Sequence, residues 1–252
     1  MQNHLRAFVE LAVEAFELRG PVYDFGPCRG DQRPLVAPWR PLFLGQQYVS
    51  CGTRWGPGVD RLVEPTRLAV ADGAARTVLA IEVLQRSFEP QRAAEELARI
   101  AAPGGVVLLA ASLNRPLDDD PGDYWRLTPS CIKRLLAPLE AALVAWQGAE
   151  RFPHTVFGLG FKSPLAAGLV PDMNRFIEGY QRWVADAQRT VPWPQKLAAA
   201  MAHWFVESPL PGMCRDYHQV RFSLDAPFDP DWKSSLLPSH EIDTIPARVD
   251  LS

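Results

Sequence analysis

The sequence predicts an α/β fold: a mostly parallel sheet buried between helices on both faces. Three observations predict it. Short runs such as Thr77–Leu84 (TVLAIEVL, apolar except for Glu82) and Val106–Ala111 are apolar almost throughout, as in strands covered on both sides. These runs alternate with segments of helical periodicity. Turns rich in Gly and Pro separate the two kinds of segment, and Pro is abundant at 24 residues. A chain of 252 residues is long enough to bury a core without disulfide or metal staples.

The elements follow in order. Residues 2–19 carry Leu5, Phe8, Leu11, Ala12, Ala15 and Phe16 at helical spacing, and Gly20-Pro21 stops the helix. Val22-Tyr23-Asp24-Phe25 reads as a short buried strand ended by Gly26-Pro27. Residues 27–46 are too rich in Pro for a long helix. Tyr48–Cys51 is a second strand, and Val59–Val63 follows the Gly56-Pro57-Gly58 turn as a third. The run Thr77–Leu84 is the next strand. Pro90 opens a helix to about Ala101, which Pro103-Gly104-Gly105 is expected to end before the strand at Val106. Thr128-Pro129 is an N-cap and first-turn pair for a helix through Leu136. Residues 143–147 and 155–161 read as two further strands. Beyond Lys162 the pattern becomes mainly helical, over 173–189 and 195–207. Residues 217–224 alternate weakly, as a strand would, and the polar, Pro-rich last 25 residues are expected to wrap the surface. In an open parallel sheet, ligands sit beyond the carboxyl ends of the strands. That draws attention to the loops after Phe25, Cys51, Leu84 and Ala111.

Composition narrows the function. Apolar residues make up 47% and charged residues 22%, values of a water-soluble globule. A net charge of −3 gives no basic balance for gripping nucleic acid. No apolar run approaches the length of a membrane span, and no basic-then-apolar leader opens the chain, so a cytoplasmic protein is expected. Cys28, Cys51, Cys131 and Cys214 form no CxxC pair or zinc spacing and read as reduced, mostly buried thiols. The Asp118-Asp119-Asp120 run reads as a solvated loop, and no metal is expected.

Several motifs together resemble the class I, Rossmann-like, seven-stranded S-adenosylmethionine-dependent methyltransferases, closest to those with a type 11 core. Val22–Gly30 (VYDFGPCRG) is similar to the strand-one motif, an acidic residue before a Gly-containing turn. Glu64–Leu68 (EPTRL) places an acid four residues before Leu. Asp72–Pro90 matches the family stretch at Glu82, Val83, Leu84 and Pro90. Arg99–Leu109 (RIAAPGGVVLL) resembles the helix–PGG–strand element. Pro121–Pro129 (PGDYWRLTP) and Phe152–Lys162 (FPHTVFGLGFK) resemble one methyltransferase subset with a D-Y-W-R loop. The resemblance covers roughly residues 20–162.

What the resemblance implies is a three-layer, mostly parallel seven-stranded sheet over residues 1–165, and a C-terminal, mainly helical extension over 166–252. It implies S-adenosylmethionine as cofactor, held by Asp24, Gly26, Gly30, Gly52, Thr53, Glu64 and Glu82, with adenine near Glu64. Gly52 stands where the family carries the carboxylate that holds the ribose, while Arg76 and Arg86 replace a family Asp and His. Tyr124, Trp125 and Arg126 would line the acceptor. Asp123 either touches the acceptor or pairs with Arg126 as a latch. His154 is either the general base for a hydroxyl acceptor or a histidine fixed in a turn. Trp183, Trp193 and Trp204 form a lid or homodimer surface in one reading and the core of the extension in the other. Two functions follow: a methyltransferase of a small polar or glycan-like acceptor, or a methyltransferase-shaped scaffold with weakened cofactor binding.

Overall fold

The computed structural model describes residues 3–26, 38–117, 122–149, 152–190 and 219–226. The segment Asn3–Ala15 forms helix α1, whose apolar stripe includes Leu5, Phe8, Val9 and Ala12. Strands β1 (Val22–Phe25) and β2 (Tyr48–Gly52) follow, then a two-residue β3 (Arg61–Leu62), shorter than the sequence suggests, and β4 (Ala75–Ile81). Helix α2 (Pro90–Ile100) leads into β5 (Ala101–Ser112). Helix α3 (Pro129–Leu135) starts as expected, with the Thr128 side chain accepting the Cys131 N–H. Strands β6 (Ala141–Gly148) and β7 (Pro153–Phe161), helix α4 (Leu169–Thr190) and strand β8 (Val220–Asp225) complete the described chain.

The strands form one sheet in the order β3-β2-β1-β4-β5-β7-β6-β8. The pairs from β3 through β5 are parallel, whereas β7 runs antiparallel to β5 and β6. The segment 3-2-1-4-5 is the doubly wound Rossmann order, so the chain reverses its winding between β1 and β4. Helices α1 and α4 cover one face around Phe8, Phe157, Phe176 and Tyr180. Helices α2 and α3 cover the other around Leu97, Leu109, Ile132 and Leu136. Gly158 and Gly160 admit this second layer, because a Cβ at Gly158 would lie 2.7 Å from methyl carbons of both Ile132 and Leu136.

Two expectations are corrected. The sheet has eight strands, not seven: β8 pairs antiparallel with β6, Leu143 facing Leu224, and covers an edge that β6 would otherwise expose. The strand itself lies where the weak alternation over 217–224 predicts one, and what the seven-stranded expectation lacked is its pairing into the sheet. The Pro103-Gly104-Gly105 segment does not separate helix from strand. Helix α2 ends at Ile100, β5 begins at once with Ala101 beside Ala75, and the turn bulges out before Val106 meets Thr77. Gly104 takes φ 69°, and a Cβ at Gly105 would lie 2.8 Å from the Ala102 carbonyl oxygen. Helix α2 is stopped instead by Lys162, whose Nζ donates to the carbonyls of Ala98, Arg99 and Ala101 at 2.8, 3.2 and 2.7 Å.

The helix expected over 195–207, Trp193, Trp204, Cys28, Cys214, Asp118 to Asp120 and the last 25 residues lie outside the described residues. Trp183 is partly buried against the core on α4, 5.6 Å from the Tyr180 ring. Burial pushes the Cys51 thiol up to about 12. Among the described residues no helix is long and apolar enough to cross a membrane, and no cluster of three metal-ligating side chains forms.

Candidate active site

Asp24 on β1 and Glu82 just beyond β4 stand on the two strands that border the switch point, where an open α/β sheet forms its ligand crevice. Asp24 is 1% exposed. Tyr48, at the start of β2, donates its hydroxyl to Asp24 Oδ2 at 2.6 Å, and the Arg40 guanidinium lies 4.8 Å above the Tyr48 ring. Asp24 Oδ1 is buried and has no partner among the described residues. Burial raises the Asp24 carboxyl from 3.8 to about 6, against the opposing effects of Tyr48 and Arg40. Gly26 follows, and a Cβ there would stand 3.9 and 4.0 Å from the two carboxylate oxygens. These are ordinary contact distances, so the fit rests on the carboxylate: a buried oxygen without a donor among the described residues suits the ammonium of an amino-acid-bearing cofactor such as S-adenosylmethionine.

Glu82 leaves β4 with φ 63°, a left-handed conformation that costs a non-glycine residue of order 1–3 kcal/mol. Its N–H donates to Ala110 O at 2.8 Å, and Ser112 Oγ donates to Glu82 Oε1 at 2.8 Å. The strained backbone turns a buried carboxylate across the ends of β4 and β5.

Ser112 faces Thr155 across the β5–β7 pair. Thr155 Oγ1 lies 2.9 Å from both His154 Nδ1 and His4 Nε2, and the two imidazole rings are 4.9 Å apart. All three residues are buried. One hydroxyl has a single proton to give, so it donates to one imidazole and accepts from the other. The arrangement brings α1 to the carboxyl edge and holds both rings in place.

The loop after β5 is latched. Arg126 donates to Asp123 at 2.6 and 2.8 Å, and Arg115 also pairs with it. Only 6% of the Asp123 side chain is exposed. The N–H groups of Tyr124 and Trp125 donate to Gln85 O at 3.2 and 3.1 Å, and Trp125 Nε1 donates to Ser87 O at 2.9 Å. Tyr124 and Trp125 are exposed, and Tyr124 meets Phe88 edge to face at 5.5 Å.

The remaining expected cofactor residues are placed as follows. Gly52 ends β2, buried, opposite Leu62, and Thr53 is exposed just beyond it. Glu64 is exposed in a tight turn closed by the Arg67 N–H, with Thr66 Oγ1 donating to it at 3.1 Å. Gly30 lies outside the described residues.

Sequence reasoning missed Tyr48, His4, Ser112, Thr155, Gln85 and Arg115. His4 had a signal, since it falls on the apolar stripe with Leu5 and Phe8. Ser112 and Thr155 had a weaker one, as polar residues closing apolar strands. Gln85 had none.

No family model matches the sequence, and no curated protein matches it. Solved structures similar to the chain include an S-adenosylmethionine-dependent methyltransferase from Thermotoga maritima, at 12% identity over 64% of this chain and 91% of that one, with a TM-score of 0.43. A protein from Pyrococcus horikoshii shares 11% identity over 64% and 90% of the two chains, at a TM-score of 0.47. A 4+2 cyclase shares 15% identity over 64% and 81%, at a TM-score of 0.44.

Proposed function

We propose that the protein is an S-adenosylmethionine-dependent methyltransferase acting on a small polar or glycan-like acceptor. The observation that carries this is the Asp24 carboxylate at the switch point, with Oδ1 buried, unpartnered among the described residues, and set above Gly26. When bound, the cofactor supplies a sulfonium methyl for in-line displacement by the acceptor.

The chain's own residues would do the rest. Asp24 Oδ1 accepts from the ammonium, and Tyr48 fixes the carboxylate so that only that oxygen is offered. Gly26 gives the backbone close approach to the ligand, the role that the resemblance also implies for Gly30. Thr53, beside Gly52, offers a hydroxyl to the ribose, and Glu64 offers an acceptor to the adenine amino group. Glu82, braced by Ser112, walls the methyl-bearing end. His154, linked through Thr155 to His4, is the proton-accepting group for a hydroxyl acceptor. Tyr124, Trp125 and Arg126 line the acceptor side. Asp123 acts by positioning that loop between Arg115 and Arg126. Catalysis in such a site is mainly alignment and exclusion of water.

Three features favour the scaffold reading: Gly52 supplies no carboxylate to the ribose, and Arg76 and Arg86 stand where the family carries an Asp and a His. Calorimetry with S-adenosylhomocysteine decides between them. Binding that Asp24→Asn weakens at least tenfold supports the enzyme, and no binding by the unmodified protein supports the scaffold.

A further inference from the structure

Gln85 is 0% exposed, and neither its Nε2 nor its Oε1 has a hydrogen-bond partner among the described residues. Nearly every buried amide in a folded protein is paired, so a wholly unpaired one calls for a specific reason. This amide lies in the short 3-10 turn Leu84–Arg86, three residues after the strained Glu82. Its own carbonyl is the anchor for the N–H groups of Tyr124 and Trp125. The same two loops expose an aromatic edge: Phe88 is 72%, Tyr124 53% and Trp125 43% exposed. An unpaired donor–acceptor group is thus carried by the same short segment that holds Phe88 and anchors Tyr124 and Trp125, just beyond the carboxyl end of β4.

We propose that Gln85 is the residue that reads the acceptor, and that the acceptor is a neutral, hydroxyl-bearing ring of the sugar class. This rests on the methyltransferase reading above. An amide presents one donor face and one acceptor face and no charge. It matches a hydroxyl, which both gives and takes a hydrogen bond, and it cannot offset a buried ammonium or carboxylate. The apolar C–H face of a pyranose suits an aromatic edge such as Phe88 and Tyr124, which supplies area without competing for the hydroxyls. Ligand entry pairs an amide that the free protein leaves unpaired. Specificity gained in this way costs stability in the unliganded state.

Two measurements on the full chain test this. Gln85→Leu, similar in volume and apolar, should raise the melting temperature of the ligand-free protein by about 2–4 °C for each kcal/mol of relieved desolvation. A lower melting temperature would mean that the amide is satisfied without ligand, and would overturn the proposal. Saturation-transfer NMR is then run in saturating S-adenosylhomocysteine with methyl glycosides of glucose, galactose and mannose, and with glucuronate and glucosamine. At least one neutral glycoside should receive transfer from aromatic protons, and Gln85→Leu and Phe88→Ala should each weaken its binding at least tenfold. S-adenosylhomocysteine affinity should stay unchanged in both variants. Binding of S-adenosylhomocysteine without any neutral glycoside, or a preference for the charged sugars, overturns this inference alone. Absence of S-adenosylhomocysteine binding overturns the reading beneath it.

Discussion

Tyr48 donates to one oxygen of Asp24 at 2.6 Å and leaves the other, Oδ1, buried and without a partner among the described residues. The pair joins β2 to β1, the strand that borders the switch point on one side. Burial raises the Asp24 carboxyl, and the Tyr48 hydroxyl partly opposes that rise.

The carboxyl rises from 3.8 to about 6 mainly through burial, which corresponds to about 3 kcal/mol. The sign follows from the raised value. The folded chain holds the proton more tightly, so its contribution to stability is fully present below 3.8 and is lost as pH climbs through about 6. Asp24→Asn removes that loss. In urea unfolding the variant should be more stable than the parent at pH 8, by up to about 3 kcal/mol, and the gain should shrink toward pH 5. Cofactor binding should run the opposite way, tightening in the parent as pH rises through 6 and staying flat and weak in Asp24→Asn. A pH-independent affinity in the parent would remove Asp24 from the site.

Ser112 and Glu82 make the second test. Glu82 is buried in a left-handed conformation and takes the Ser112 hydroxyl at 2.8 Å. Ser112→Ala removes a donor from a buried carboxylate and should cost about 1–3 kcal/mol in chemical denaturation. Ser112→Thr keeps the hydroxyl and should recover part of the loss. Equal stability of the alanine variant and the parent would show that Glu82 is held by other groups.

Thr155 sets its hydroxyl between His4 and His154, and the bridge to His4 spans a sequence separation of 151 residues. Thr155→Val keeps the shape and removes the bridge. It should cost about 1–3 kcal/mol and should abolish any energetic coupling between His4→Ala and His154→Ala in a double-mutant cycle. Coupling that survives in the Thr155→Val background would mean that the rings interact directly.

The fold was legible because its signals are local. Apolar runs, Thr128 before Pro129 and the Gly-Pro punctuation each act over a few residues, and every strand from β1 to β8 overlaps the run that predicts it, although β3 is shorter and β5 starts earlier than expected. The PGG turn misled because its glycines also suit a bulge, and the residue that stops α2, Lys162, lies 61 residues beyond Ala101. The site was legible only in part for the same reason. Asp24, Glu82 and His154 are placed by their strands, and each is found at the carboxyl edge. Tyr48 and Ser112 lie 24 and 30 residues from Asp24 and Glu82, and His4, which His154 reaches through Thr155, lies 151 residues from that threonine; no local pattern couples them. Asp123 shows the limit from the other side. Its residue type admits a catalytic role or a latch to Arg126; the structure shows the latch and adds Arg115, the partner that the local sequence did not suggest.

Gly52 supplies the last prediction. It ends β2 as an ordinary extended strand residue opposite Leu62, and it is not among the glycines with positive φ. A side chain at this position therefore brings no backbone strain. If the ribose lies beyond β2, as the carboxyl-edge rule places it, Gly52→Asp adds a carboxylate within reach of its hydroxyls. Each hydrogen bond to a charged acceptor contributes about 1.5–3 kcal/mol, against about 1 kcal/mol for the neutral hydroxyl that Thr53 offers. Affinity for S-adenosylhomocysteine should rise at least several-fold in calorimetry, and Thr53→Val should matter in the parent but little in the variant. An unchanged affinity in Gly52→Asp, with the Thr53→Val effect intact, would place the ribose on other residues. Loss of binding with an unaltered melting temperature would mean that the new carboxylate meets the wrong part of the ligand, and the crevice would have to be read in the opposite direction along the sheet.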